Sequence, residues 1–248
     1  MTAKVRLDQL LFDRGLAPSR EKAKALIMAG LVLVNDRPET KAGSPTDPAA
    51  AIRLKDEGSR YVSRGGDKLV GALAAFPLPL AGGRFLDIGQ STGGFTDALL
   101  EHGAAAVTGV DVGYGQLAMK LRRDPRVTCI ERWNARDLPA DFFAGALFDG
   151  AVIDVSFISL TLILPGVAAH VRPGGFLLAL VKPQFEAGRA QVGKGGVVKD
   201  PLIIAACVEK VAAGAATLGL VDRGRVPSPI TGPKGNQEIF LWLEKPAG

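Results

Sequence analysis

The sequence predicts an α/β fold, a doubly wound parallel sheet preceded by a smaller α+β domain, and three observations carry that prediction. From Lys68 onward, short β-branched or apolar runs alternate with stretches long enough for helices. Ahead of them stand two helical patterns and one short apolar run, closed off by the polar, glycine-containing stretch "DEGSRYVSRGG" at 56–66. A chain of 248 residues, 47% of them hydrophobic, can bury a full-sized core and still spare residues for a small second domain.

In the first domain, Leu7, Leu10 and Leu11, with Phe12, recur at helical spacing and stop at Gly15, a residue type suited to a left-handed helix end. Ser19, after Pro18, can cap a second helix that runs through Ala29 and ends at Gly30. Its Ala23, Leu26 and Ile27 face inward, while Arg20, Lys22 and Lys24 lie toward solvent. "LVLVNDRPETK" then gives a short strand, a turn at Asn35-Asp36 and a further cation, Lys41. The linker is expected around Asp56 to Arg60, dividing 1–60 from 61–248. Eleven Lys/Arg stand against eight Asp/Glu over residues 1–60, so this quarter carries +3 of the chain's +5. The skew suits an anionic partner, although on charge alone a solvated helix face is the favoured reading.

In the second domain, "RFLDIG", "AAVTGVDV", "VTCIERW", "FDGAVIDV" and "GGFLLALVK" are the expected parallel strands. An Ala-rich helix from Pro201 to about Leu218 and a last strand, "QEIFLWLEK", complete the sheet. No apolar run approaches the ~20 residues of a membrane span, and "MTAKVRLDQL" lacks the apolar centre of a signal peptide. A cytoplasmic monomer with no membrane partner is expected. Cys129 and Cys207 show no metal-ligand spacing, so both are expected in the core and no metal is expected.

A ligand of such a sheet sits at the carboxyl ends of its strands. The first such end is "LDIGQSTGGF", where Gly89, Gly93 and Gly94 remove side chains that would block a ligand. Asp87 and Ser91 belong to the same loop and are counted with it. Asp111 follows about twenty residues later, placed to accept both hydroxyls of a ribose. The glycine spacing is G-x-x-x-G-G, not the G-x-G-x-x-G that admits a pyrophosphate, which favours an adenosine cofactor without phosphates, S-adenosylmethionine. Asn134 can meet an adenine edge or simply cap a helix; Gln90 can crowd the loop or point outward.

Four ionisable residues stand out by position. Asp154 and Lys182 close the fourth and fifth strands, Lys68 opens the helix before the first strand, and Glu238 begins the last one. Singly, each reads as a surface charge; together they form a Lys-Asp-Lys-Glu set. A ribose hydroxyl is a poor nucleophile and needs a base, and a lysine serves only as the neutral amine, which burial or a neighbouring cation favours. Lys68 can be that cation for Lys182, with Asp154 and Glu238 holding both.

Two resemblances extend this reading. Residues 4 to 55, through "SREKAKALIMAGLVLVN", resemble the S-four RNA-binding domain. Residues 61 to 248, through "VSRGGDKL", "STGGFTD", "DVGYGQL", "DVSFISL", "LVKPQFEAGRAQVGKGGVVKD" and "SPITGPKGNQE", resemble the TlyA family of ribosomal RNA ribose 2′-O-methyltransferases, whose catalytic domain is FtsJ-like with a Rossmann-like sheet. The resemblance implies S-adenosylmethionine as cofactor and ribosomal RNA or a ribosomal subunit as partner. It also implies methylation of a cytidine, with the short carboxyl end resembling members that act on the large subunit. Lys68, Asp154, Lys182 and Glu238 match its catalytic tetrad, and Gly89, Ser91, Gly93 and Asp111 its cofactor positions. The S-four likeness makes Arg6, Arg20, Lys22, Lys24 and Lys41 candidate RNA contacts. Gln90 departs from the small residue usual in the family. The competing readings are a non-catalytic RNA-binding assembly factor and, from the family's historical label, a membrane-active haemolysin.

Overall fold

A computed structural model describes residues 4–247 other than 18, 29, 36, 55–59 and 233. The chain divides into two compact units, Met1–Ser59 and Arg60–Gly248. Most of the linker expected at Asp56 to Arg60 lies outside the described residues, as do Ala29 and Asp36.

In the first unit, a strand pair β1 (Val5–Arg6) and helices α1 (Leu7–Asp13) and α2 (Arg20–Met28) precede β2 (Val32–Val34), β3 (Arg37–Glu39), β4 (Pro45–Thr46) and β5 (Ile52–Leu54). Strand β2 is the centre of an antiparallel sheet, flanked by β3 and β5, and β1 pairs with β4. The Oγ of Ser19 accepts the N–H of Lys22 at 3.1 Å, satisfying one of the open donors of α2. Gly15 and Gly30 follow the helices at φ +69° and +70°. Leu7, Leu11, Ala17, Ala23, Ile27 and Val32 close a core of their own. Phe12, grouped with the inward residues by spacing, is 44% exposed: the helix turns it away from the stripe that Leu7 and Leu11 bury.

The second unit runs α3 (Arg64–Ala75), β6 (Arg84–Ile88), α4 (Gly94–Glu101), β7 (Ala106–Val110), α5 (Met119–Arg122), β8 (Val127–Ile130), β9 (Phe148–Ile153), α6 (Leu160–Ala169), β10 (Val171–Val181), α7 (Pro183–Glu186), α8 (Pro201–Ala216), β11 (Val221–Pro227) and β12 (Ile239–Glu244). Its seven-stranded sheet has the order β11-β12-β10-β9-β6-β7-β8. The five strands β8, β7, β6, β9 and β10 are parallel, as the short apolar runs predict. Strand β12, the expected last strand, runs antiparallel to both β10 and β11. Strand β11 carries no signal in the sequence: "VDRGRVP" is an edge strand whose residues are exposed or only partly buried, and Val226 packing against the core is too little to leave an apolar signature.

Residue alternation along the parallel strands feeds two cores. Leu177, Ala179 and Val181 of β10 pack on the face covered by α6 and α8, while Phe176, Leu178 and Leu180 pack on the face covered by α3 and α4. Strands β6 and β9 are neighbours at the centre, with successive strands leading away from them in opposite directions. A crevice therefore opens at their carboxyl ends.

Candidate active site

Asp154 follows β9 and its backbone N–H bonds the carbonyl of Ile88 at 2.9 Å, which fixes it at the mouth of that crevice. Three cavities meet at this residue. The first, about 400 Å3, lies between the amino end of α3 (Ser63, Arg64, Gly65, Lys68) and the loop Gly89–Thr92. The second, about 320 Å3, is lined by Asp111, Gln116, Trp133, Asn134 and Ile163. The third, about 500 Å3, is lined by Lys68, Ser156, Phe157, Lys182, Lys234, Asn236 and Glu238.

The third cavity brings together all four residues of the expected Lys-Asp-Lys-Glu set as two ion pairs. Lys182 Nζ lies 2.6 Å from Asp154 Oδ1 and donates to Ser156 Oγ at 2.9 Å; Lys68 Nζ lies 2.5 Å from Glu238 Oε2. Each pair joins different elements: α3 to the segment before β12, and the end of β10 to the end of β9. Lys68 stands in the second turn of α3, not at its opening, and is 8% exposed; Lys182 is also 8% exposed and Glu238 1%.

The glycines of the loop answer to the protein's own atoms. A Cβ on Gly89 would come within 2.5 Å of the Asp154 carbonyl oxygen; on Gly94, within 2.3 Å of Ser63 Oγ and 2.8 Å of Gly66 N. On Gly93, whose φ is +94°, it would strike Leu117 and Leu121 at 2.7 and 2.4 Å. These residues let β9, α3 and α5 close around the loop, and Gly89 and Gly94 still line the first cavity. Besides lining that cavity, Gly89 and Gly94 thus allow the surrounding elements to approach the loop.

Asp111 Oδ2 accepts the N–H of Ser91 at 2.7 Å and Oδ1 that of Gly113 at 2.6 Å, so one carboxylate ties the glycine loop to the turn after β7. Ser91 adopts φ +48°, and its Oγ donates to Gln116 at 3.2 Å. Asn134 lines the cavity and caps a short turn, its Oδ1 accepting from the N–H of Arg136 at 3.1 Å, which leaves its amide NH2 available.

Asp87 is fully buried beneath the loop and does not line any of the three cavities. Its Oδ2 accepts from Thr96 Oγ1 at 2.6 Å, and Gln90 Nε2 donates to the same Thr96 oxygen at 2.9 Å. Burial pushes the Asp87 carboxyl up to about 7, opposed by the Thr96 bond and reinforced by the negative charges of Asp154 and Asp111. Gln90 is 4% exposed and turned inward over Gly109, so it neither crowds the loop nor points outward.

Sequence reasoning missed Ser63, Arg64, Trp133, Ser156, Phe157 and Lys234 as cavity residues. Phe157 is 90% exposed at φ +67° with its ring 5.0 Å from that of Phe185, a conformation and exposure that no periodicity signals. In the first unit, Arg6 and Arg20 converge on the buried Asp8 at 3.0 and 3.3 Å, while Lys22, Lys24 and Lys41 are exposed and make no ion pair among the described residues. Arg6 holds the Asp8 carboxyl down at about 2, chiefly through its hydrogen bond.

The donor set of the second cavity tests which cofactor it suits. Asp111 and Asp154 line it, and no lysine or arginine does among the described residues. Two carboxylates repel a pyrophosphate and attract a sulfonium, and the flat Trp133 with Ala135 and Ile163 offers an apolar slot for an adenine. The sheet order, its antiparallel β12 and this phosphate-excluding site at the central strands define an S-adenosylmethionine-dependent methyltransferase.

Comparison with known proteins narrows that class. Residues 61–245 match the FtsJ-like methyltransferase and residues 5–50 the S4 domain, and the chain belongs to the FtsJ-like family in the branch that includes TlyA. It is 48% identical over 244 residues to the 16S/23S rRNA (cytidine-2′-O)-methyltransferase TlyA of Mycobacterium tuberculosis, covering 98% of this chain and 91% of that protein. A solved Streptococcus thermophilus protein described as a hemolysin is similar at TM-score 0.77 and 46% identity, over 99% of this chain and 90% of that one. Aeropyrum pernix fibrillarin, solved with bound S-adenosyl-L-methionine, shares the fold alone at 18% identity and TM-score 0.53, over 86% of this chain and 94% of its own. Among the described residues no helix is long and apolar enough to cross a membrane.

Proposed function

We propose that the protein methylates the 2′-hydroxyl of a cytidine ribose in ribosomal RNA of the large subunit, in the cytoplasm, with Lys68, Asp154, Lys182 and Glu238 as its catalytic set. The observation that carries the reading is the position of Asp154, common to all three cavities, with Lys182 bonded to it in the third. The Mycobacterium tuberculosis relative, a 16S/23S rRNA (cytidine-2′-O)-methyltransferase, supports the cytidine and, through 23S rRNA, the large subunit.

Asp111 would hold the ribose hydroxyls of S-adenosylmethionine, Asn134 and Trp133 its adenine, and the loop Gly89–Thr92 with the start of α3 its amino acid end. The cofactor supplies a methyl carbon bearing a good neutral leaving group. A 2′-hydroxyl seated in the third cavity would give its proton to Lys182 as the amine, which would free its oxygen to take the methyl group that the bound cofactor would supply, the thioether being the leaving group. The new ammonium is met at once by Asp154, and Ser156 orients the nitrogen before transfer. Lys68, neutralised by Glu238, braces the opposite wall. Phe157 presents an open ring on which a nucleobase can stack.

The test is Lys182→Arg, which keeps the charge but cannot lose a proton near neutrality. Turnover should fall ~10²–10⁴-fold with cofactor affinity retained and little rescue by more RNA. Mapping ribose methylation in both ribosomal RNAs from cells with and without the gene then identifies the nucleotide. Near-normal turnover of the variant would move the base elsewhere. A methyl-transfer-dead wild type that still binds RNA would favour the non-catalytic assembly factor.

A further inference from the structure

We propose that Lys234 forms a phosphodiester subsite of the third cavity, holding the backbone phosphate beside the ribose to be methylated; this rests on the reading of the cavity given above. Within the catalytic set, two lysines and two carboxylates pair one to one, so their formal charges sum to zero while both lysines are protonated, as they are once the hydroxyl proton has passed to Lys182. Lys234 lines the same cavity, is exposed, and makes no ion pair among the described residues. It is therefore the cation that gives the cavity a net positive charge.

Its surroundings are constructed. The turn from Gly232 to Asn236 is closed by the Gly232 N–H on the Asn236 carbonyl at 2.9 Å and the Gly235 N–H on the Gly232 carbonyl at 2.8 Å. Asn236, 2% exposed, then staples this turn to the glycine loop after α7: its Oδ1 accepts the Val198 N–H and its Nδ2 donates to the Gly196 carbonyl, both at 2.9 Å. Gly195 and Gly196 take φ +81° and +80°, and a Cβ on Gly196 would lie 3.4 Å from Lys234 Nζ. Gly196 and Lys234 thus stand side by side in the wall of the cavity.

The chemistry of the substrate supplies the counter-charge. A ribose 2′-carbon adjoins the carbon that carries the 3′-phosphate, so seating the 2′-oxygen at Lys182 draws a phosphodiester into this cavity. The four paired residues cannot neutralise it without breaking a pair, and Lys234 can. A lysine here acts as a point charge that tolerates any base sequence, which suits positioning of the strand and leaves base selection to other contacts.

The experiment is steady-state methyl transfer from S-adenosylmethionine to a ribosomal RNA fragment across a salt series, for the full chain and its Lys234→Ala and Lys234→Arg variants. Lys234→Ala should raise the KM for RNA roughly tenfold at low salt and make the log–log salt dependence shallower by about 0.7–0.9, the contribution of one phosphate contact. The turnover at saturating RNA and the affinity for S-adenosylmethionine should stay within about twofold, and Lys234→Arg should recover most of the KM. An unchanged RNA KM and salt slope for Lys234→Ala, with the wild type active, overturns the subsite. A wild type that transfers no methyl to ribose overturns the functional reading instead, and the subsite with it.

Discussion

Gln90 lies two residues beyond the end of β6 and illustrates what single residues reveal and conceal. From sequence it is a large side chain in a loop of small ones; in three dimensions it fills the space over Gly109, where a Cβ would come 2.0 Å from its amide carbon. Those two residues, nineteen apart, make sense only as a pair, and no local pattern relates them. Asp87, chosen as a cofactor contact, is instead the end of the chain Gln90 to Thr96 to Asp87 beneath the loop. Asp111, Asp154, Lys182 and Glu238 were legible because strand ends are visible in the apolar pattern and a charge at such an end has few places to point. Asp87 sits inside its strand, where alternation gives a face but not a depth. Its environment makes a pH prediction. With the folded value at about 7 and the unfolded one near 3.9, the folded state keeps a proton that the unfolded state has lost. Stability from this group is therefore complete below about pH 4 and is lost as pH rises through about 7. Asp87→Asn cannot titrate, so its unfolding free energy relative to wild type should rise across that window by up to about 1.4 kcal/mol per pH unit and level off above it. Denaturant melts at several pH values measure the difference; a flat difference would mean that Asp87 stays ionised.

At the scale of elements, what the sequence conveys is burial. The central parallel strands β6, β9 and β10 are buried along most of their length and read as apolar runs, whereas β11 is exposed or only partly buried and leaves no such run. The direction of β12 is equally silent, because strand polarity depends on the connection and not on side chains. Helix ends are better written: Ser19, Ser159 and Asp200 each accept a backbone N–H at the start of α2, α6 and α8. The start of α6 has a second anchor that is remote in sequence. Glu186, at the end of α7 and 6% exposed, accepts from Ser159 Oγ at 2.6 Å, from the Leu160 N–H at 2.7 Å and from Lys210 Nζ at 3.1 Å. One carboxylate thus joins α6, α7 and α8, and α7 follows Lys182 directly. Glu186→Ala leaves a buried N–H and hydroxyl without their acceptor, a loss of about 2–3 kcal/mol with Lys210, half exposed, adding little. Equilibrium denaturation should show it, and turnover should fall more than S-adenosylmethionine affinity, since α7 lines the catalytic cavity and not the cofactor cavity. Unchanged stability would show that the Leu160 N–H and the Ser159 hydroxyl find other acceptors.

At the scale of the whole molecule, each unit is built, among the described residues, around core side chains of its own. Leu7 to Val32 supply the first, and residues from Tyr61 onward supply both cores of the second. The three cavities of the candidate site are lined by residues of the second unit alone, Ser63 being the earliest. The first unit brings cations: Lys22, Lys24 and Lys41 stand exposed, and Arg6 and Arg20 are held against Asp8, which fixes two guanidinium groups at the cost of one of their charges. Removing residues 1–59 should accordingly leave the second unit folded and its S-adenosylmethionine affinity within about threefold, because no cofactor-cavity residue and no core residue of that unit is lost. RNA affinity should fall steeply at low salt, and the slope of log affinity against log salt should become shallower by about 0.7–0.9 for each phosphate contact removed, so that the truncated and full chains converge as salt rises. Calorimetry for the cofactor and fluorescence anisotropy with a labelled ribosomal RNA fragment measure the two properties separately. Parallel loss of both would mean that the first unit is needed to build the cofactor site, and equal RNA affinity with equal salt slope would assign its cations to another partner.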